Sequence, residues 1–270
     1  MATFRVGERH LGVTEAGAGA PAVLLHSGGL SSRQWGRLIA DLSRDHRVIA
    51  PDFYGYGESS RITDEAAAGL HDDAAAIAAL LASLPEPAHL VGHSYGGLVA
   101  TRVLLDAPDL VRSVALFEPV AFGVLRSEND AEGLAELARV SRDLEDDAAG
   151  GGAAWLNGFV DYWSGPGAFA ALPEASRAAW LAVGRKVYLE VRSLMPDPTP
   201  LAAYRGVKVP ALLLSGERST LAARRVAKLL ASAIPGAKHE ELSGATHMAP
   251  LFEAGRVNAL IGAHVRGARR

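Results

Sequence analysis

The sequence contains no cysteine. That removes thiolate nucleophiles, disulfides and thiolate metal sites together, and it leaves the redox compartment open. No stretch approaches the roughly 18 apolar residues that span a bilayer. The first ten residues, MATFRVGERH, lack the apolar core of a secretory signal. Charge of one sign is also scarce: 27 lysines and arginines against 30 aspartates and glutamates leave a net charge of −3, with no basic stripe for nucleic acid or anionic lipid. The one basic cluster, Arg266, Arg269 and Arg270, reads as a frayed and solvated tail. The expectation is a cytoplasmic protein that takes a small-molecule substrate, with no nucleic-acid or membrane partner. Its oligomeric state, monomer or homodimer, stays open.

What the chain does contain is an ordinary globular balance, 49% hydrophobic and 21% charged, so disorder is not the default. Short apolar runs alternate with longer Ala/Leu-rich stretches, the pattern of a parallel sheet with crossover helices. The strand candidates are Ala22–Leu25, Val48–Pro51, His89–Gly92, Ser113–Phe117 and Ala211–Ser215. A more polar run, Lys238–Leu242, suits an edge, and Phe4–Glu15 reads as a leading hairpin. Apolar residues at three-to-four spacing predict helices over Arg33–Leu42, Glu65–Leu84, Gly97–Asp106, Leu221–Ala233 and Glu253–Val265. Residues 122–205 break this rhythm with helical stretches and most of the tryptophans. They are expected to form a helical cap inserted between two parts of an α/β core, 1–121 and 206–270, at the sheet edge where such folds bind ligands.

The sharpest motif is Gly92-His93-Ser94-Tyr95-Gly96-Gly97, which follows an apolar run and opens a helix. A serine on so tight a strand-to-helix turn takes strained backbone angles, and flanking glycines allow neighbouring backbone to approach. The turn exposes the hydroxyl and aims the Tyr95 N–H at the same point, which suits a nucleophile with an oxyanion donor beside it. A serine hydroxyl is nearly inert at neutral pH until an imidazole takes its proton. Of nine histidines, His247 lies in a loop after the last strand candidate.

Together these segments resemble the α/β-hydrolase superfamily along nearly the whole chain. Leu24-Leu25-His26-Ser27-Gly28-Gly29 is similar to the family's oxyanion loop, with Ser27 where glycine is usual. Ala50 to Ser59 resembles the turn after the next strand. The resemblance implies Ser94 as nucleophile, His247 as base, and the N–H groups of Gly28 and Tyr95 as oxyanion hole, with no metal or organic cofactor. It also implies a departure. Ser219 stands where an aspartate usually serves as the triad acid, so the acid is expected at Glu118, which ends the preceding strand, in preference to Glu217. Tyr162, Trp163 and Tyr188 are the expected substrate contacts under the cap. The implied activity is hydrolysis of an ester, lactone or thioester of a small apolar substrate through an acyl-enzyme. A lyase, cyclase, perhydrolase or carbon–carbon bond-cleaving enzyme is the alternative, and a ligand receptor without turnover a further one.

Overall fold

Eight strands form one sheet in the order β1-β2-β4-β3-β5-β6-β7-β8. They are β1 (Ala2–Val6), β2 (Arg9–Ala16), β3 (Ala20–Leu25), β4 (His46–Pro51), β5 (Ala88–His93), β6 (Val111–Phe117), β7 (Ala211–Gly216) and β8 (Lys238–Leu242). The computed structural model describes residues 2–144 and 147–268. The leading hairpin pairs antiparallel and joins β4 antiparallel, and every other pairing is parallel. The polar run expected at an edge is the edge strand β8.

Strand residues alternate between two cores, as a period of two requires for a sheet covered on both faces. Ala22, Leu24, Ala50, Val91, Phe117 and Leu214 face α1 (Gly36–Leu42) and α11 (Ala254–Gly267). Val23, Leu25, Leu90, Val114, Leu116 and Leu213 face the other way, toward α2 (Leu70–Ala82), α3 (Tyr95–Asp106) and α9 (Leu221–Ala233). Between β6 and β7 the chain is helical: α4 (Gly123–Ser127), α5 (Ala131–Leu144), α6 (Ala153–Ser164), α7 (Ala168–Ala171) and α8 (Glu174–Leu194). Of these, α8 packs on α2 and α6. Among the described residues no helix is long and apolar enough to cross a membrane.

Three expectations change. The helix read from Glu65 begins only at Leu70, because Gly69 has φ +126° and a Cβ there would meet Ser193 Oγ at 2.4 Å. The helix read from Glu253 is preceded by a separate turn, α10 (Ala249–Phe252). Arg266 is not part of a frayed tail: it sits in α11 and binds Asp41 at 3.0 Å and Asp45 at 2.8 Å. Arg269 and Arg270 lie outside the described residues.

Candidate active site

Parallel strands end together, so the loops after β3, β5, β6, β7 and β8 converge at one edge of the sheet. Ser94 occupies the turn between β5 and α3 with φ 55° and ψ −118°, a conformation that L residues rarely hold outside functional sites. The glycines around it are required by crowding. A Cβ on Gly92 would come within 2.6 Å of Gly96 O, and one on Gly96 within 2.4 Å of the carbonyl oxygens of Leu25 and His26.

Glu118, the residue after β6, is also held at positive φ, 43°. Its carboxyl is fully buried and receives three hydrogen bonds. Gly216 N–H donates to Oε1 at 2.7 Å, while Ser219 Oγ and His247 Nδ1 reach Oε2 at 2.6 and 2.5 Å. Ser219, in the place where the family resemblance called for an aspartate, thus binds the Glu118 carboxylate. Glu217 is exposed and turns away. It accepts from Ser243 Oγ at 2.8 Å and Gly244 N at 2.7 Å, fixing the turn that leads to His247.

With Nδ1 directed at a carboxylate, the imidazole of His247 presents Nε2 as its acceptor. That Nε2 is buried and makes no hydrogen bond, to Ser94 Oγ or to any other described residue. The Trp163 indole stacks on the ring, with centroids 4.0 Å apart and planes 24° apart. His93 holds the loop from below: its Nε2 donates to His247 O at 2.9 Å and its Nδ1 accepts from Gln34 Nε2 at 3.1 Å. Burial keeps His93 well below the usual histidine range, so it stays neutral. His26 is likewise structural. Its Nδ1 donates to Ser27 O, its Nε2 accepts from Phe53 N, and burial lowers its pKa to about 4.

Two hollows meet over Ser94 and share Gly28, Ser94, Phe159 and Trp163 in their walls. The larger adds Tyr95, Val120, Phe122, Tyr162 and Glu190. The smaller adds His247, Met248 and Trp180. Gly28, Tyr95, Tyr162 and Trp163 all line the larger hollow beside Ser94. Tyr188 does not. It is buried against Trp155, ring centroids 5.7 Å apart, with the Arg185 guanidinium over its face. Its place two residues before Glu190 turns it roughly 200° round α8, away from the hollow.

The sequence profile of the alpha/beta hydrolase family matches residues 22–260. The chain belongs to that family. This α/β-hydrolase is 37% identical over 95 residues to the pimeloyl-[acyl-carrier protein] methyl ester esterase of Aliivibrio salmonicida. The match covers 35% of the chain, and the chain spans only about a third, 34%, of that relative's length. It is 29% identical over 252 residues to pyrrolizixenacetamide deacetylase of Xenorhabdus hominickii, covering 90% of each protein. The solved enol-lactonase of Burkholderia xenovorans LB400 superposes with a TM-score of 0.78 over 98% of this chain and 100% of its own. At 20% identity that likeness speaks for the fold alone.

Several groups that shape this site act through other residues. Gln34 and His93 support the loop of His247, and nothing in their local sequence gives them that place, whereas Ser219 stands out in the sequence only as a missing aspartate. Asp73, Lys186 and Glu190 form a buried ionic cluster beside the larger hollow, and they come from two helices far apart in the chain.

Proposed function

We propose that this protein is a serine hydrolase that cleaves the ester, lactone or thioester bond of a small, largely apolar substrate through an acyl-enzyme on Ser94. The observation that carries the reading is His247. One ring nitrogen is fixed on the Glu118 carboxylate at 2.5 Å, and the other is free in a hollow walled by Ser94.

In this mechanism His247 Nε2 turns to Ser94 Oγ, forming a hydrogen bond that tightens when substrate enters. Oγ attacks the carbonyl carbon as its proton moves to Nε2. The oxyanion is received by the N–H groups of Gly28 and Tyr95, and Glu118 stabilises the imidazolium. His247 then protonates the leaving group, so the departing alcohol, thiol or ring oxygen sits in the smaller hollow beside it. The acyl part is left to the larger one. Water, deprotonated by His247, releases the acid. Helices α4 to α8 act as the cap, and Trp163 and Tyr162 are its substrate contacts.

The test is intact mass after treatment with a fluorophosphonate, on wild type and on Ser94→Ala. One adduct on the wild type and none on the variant is the expected result. A folded wild type that stays unlabelled overturns the nucleophile assignment.

A further inference from the structure

The larger hollow is walled mostly by apolar side chains, yet it contains one carboxyl group, that of Glu190. Glu190 sits on α8 one turn after Lys186, and both pack against Asp73 in the first turn of α2. All three are buried, with 1%, 4% and 1% of their surfaces exposed. Two carboxyls and one ammonium share this space, so an apolar interior favours neutralising one carboxyl with a proton. Geometry decides which. Burial raises the pKa of Asp73 as well, but its Oδ2 receives Lys186 Nζ at 2.5 Å and the Tyr95 hydroxyl at 2.7 Å, two donors that favour its anion. Glu190 has its nearest cation at 3.4 Å and its Oε1 makes no hydrogen bond, so its one close donor is the Tyr56 hydroxyl, which itself accepts from Gly29 N–H. Of the two carboxyls, Glu190 is therefore the better placed to carry the proton. Consistently, burial pushes its pKa up to about 8, reinforced by the Asp73 charge and opposed by Lys186.

The position of this neutral acid relative to the reacting atoms is also fixed. Its Oε2 lies against Gly28, so close that a Cβ on that glycine would meet it at 2.5 Å. The carboxyl thus borders the oxyanion loop on the side of the hollow that holds the acyl group. Its Oε1 is buried without a hydrogen-bond partner, and such an atom costs free energy until a ligand supplies one.

We propose that Glu190 is a specificity-determining residue of the acyl pocket, whose neutral carboxyl donates a hydrogen bond to an oxygen carried by the acyl group. The favoured substrates are then acyl compounds with a keto, ether or hydroxyl oxygen a short way along the chain from the scissile carbonyl, in preference to plain hydrocarbon acyl groups. This rests on Ser94 being the nucleophile, because that assignment orients the substrate across the two hollows.

The test uses p-nitrophenyl esters of butanoate, pentanoate and hexanoate, each beside its analogue with an ether oxygen replacing one methylene. The quantity read is the ratio of kcat/KM for ether over alkyl ester, taken for wild type, Glu190→Gln and Glu190→Leu. The intrinsic reactivity of each ester cancels when variants are compared. Leucine leaves the Asp73–Lys186 pair charge-balanced, and glutamine keeps an N–H donor at the same reach. For the best-placed oxygen the ratio is expected to fall roughly tenfold in Glu190→Leu and to stay within about threefold in Glu190→Gln. Ratios unchanged in Glu190→Leu at every position overturn the proposal.

Should the leucine variant not fold, the wild-type ratio is followed with pH. It is expected to fall as Glu190 ionises, facing Lys186, Asp73 and the Tyr56 and Tyr95 hydroxyls, and to stay flat in Glu190→Gln. A flat wild-type profile overturns the proposal equally. Ester turnover that survives Ser94→Ala sinks the nucleophile assignment, and so does a wild type inert to all six esters. Turnover abolished by Ser94→Ala, with a ratio indifferent to Glu190, sinks this inference alone.

Discussion

Replacing Glu118 by glutamine probes the site where it is most constrained. The side chain keeps its size but loses its charge and exchanges one acceptor for a donor. Oε1 faces the Gly216 N–H at 2.7 Å, and Oε2 faces His247 Nδ1 at 2.5 Å. A backbone N–H cannot turn away, so the glutamine oxygen takes Gly216 and the amide NH₂ is left against His247. The imidazole must then offer Nδ1 as acceptor and carry its proton on Nε2, where it cannot receive the proton of Ser94. A wrong tautomer of this kind costs roughly 10³–10⁴-fold in turnover, about 4–5.5 kcal/mol of barrier. The assay is kcat/KM on p-nitrophenyl butanoate together with the rate of fluorophosphonate labelling. A urea melt shows that the variant is folded. Glu217→Gln is the control. It removes an exposed carboxylate that only fixes the 243–244 turn, and activity is expected to stay within about threefold, since exposed contacts of this kind are individually weak. The reasoning fails if Glu118→Gln remains within tenfold of wild type, or if Glu217→Gln loses as much.

Trp163→Ala removes the ring stacked on His247 and is expected to lower kcat/KM roughly tenfold through a misplaced imidazole; steady-state constants equal to wild type would discard that contact. Lys186→Met leaves the buried Asp73 carboxylate with only the Tyr95 hydroxyl, and a loss of about 3–5 kcal/mol in urea unfolding is expected. An unshifted midpoint would mean the cluster is not held by its ammonium. Glu190 also links stability to pH. Its folded pKa near 8 stands above its ordinary 4.5, so the folded chain holds more protons than the unfolded chain across that window. Stability contributed by this group is full below about 4.5 and is lost as pH rises toward 8. Unfolding free energies of Glu190→Gln measured across the window should lack this slope, and an identical slope in both proteins would contradict it.

How much of this was legible in the sequence depended on whether the signal was local. The elbow around Ser94 is a run of six residues whose chemistry and backbone demands coincide, and the strands declared themselves by apolar runs. Glu118 was legible because an apolar strand that ends in a carboxylate invites a partner. Lys186 and Glu190 were not. Four apart on a helix, they look like an ordinary solvated ion pair. Only the fold brings Asp73, 113 positions away, against them. Tyr188 misled for a related reason: aromatic content marked the right helix without saying which face meets the hollow. The helix over 65–84 was overrun at its start because alanines favour helix, while Gly69 and its crowding by Ser193 became visible only in three dimensions.

Strands β6 and β7 run side by side in the same direction, with Phe117 level with Leu214. Their ends deliver side chains to one point, which is why Ser219 and Glu118 touch although 101 residues separate them. The imidazole is thus served by a location in space rather than by an address in the chain, and neighbouring strands are interchangeable suppliers. A carboxylate at the end of either strand can reach the same imidazole, and with a serine at 219 that place is taken by Glu118, to which the serine hydroxyl itself donates.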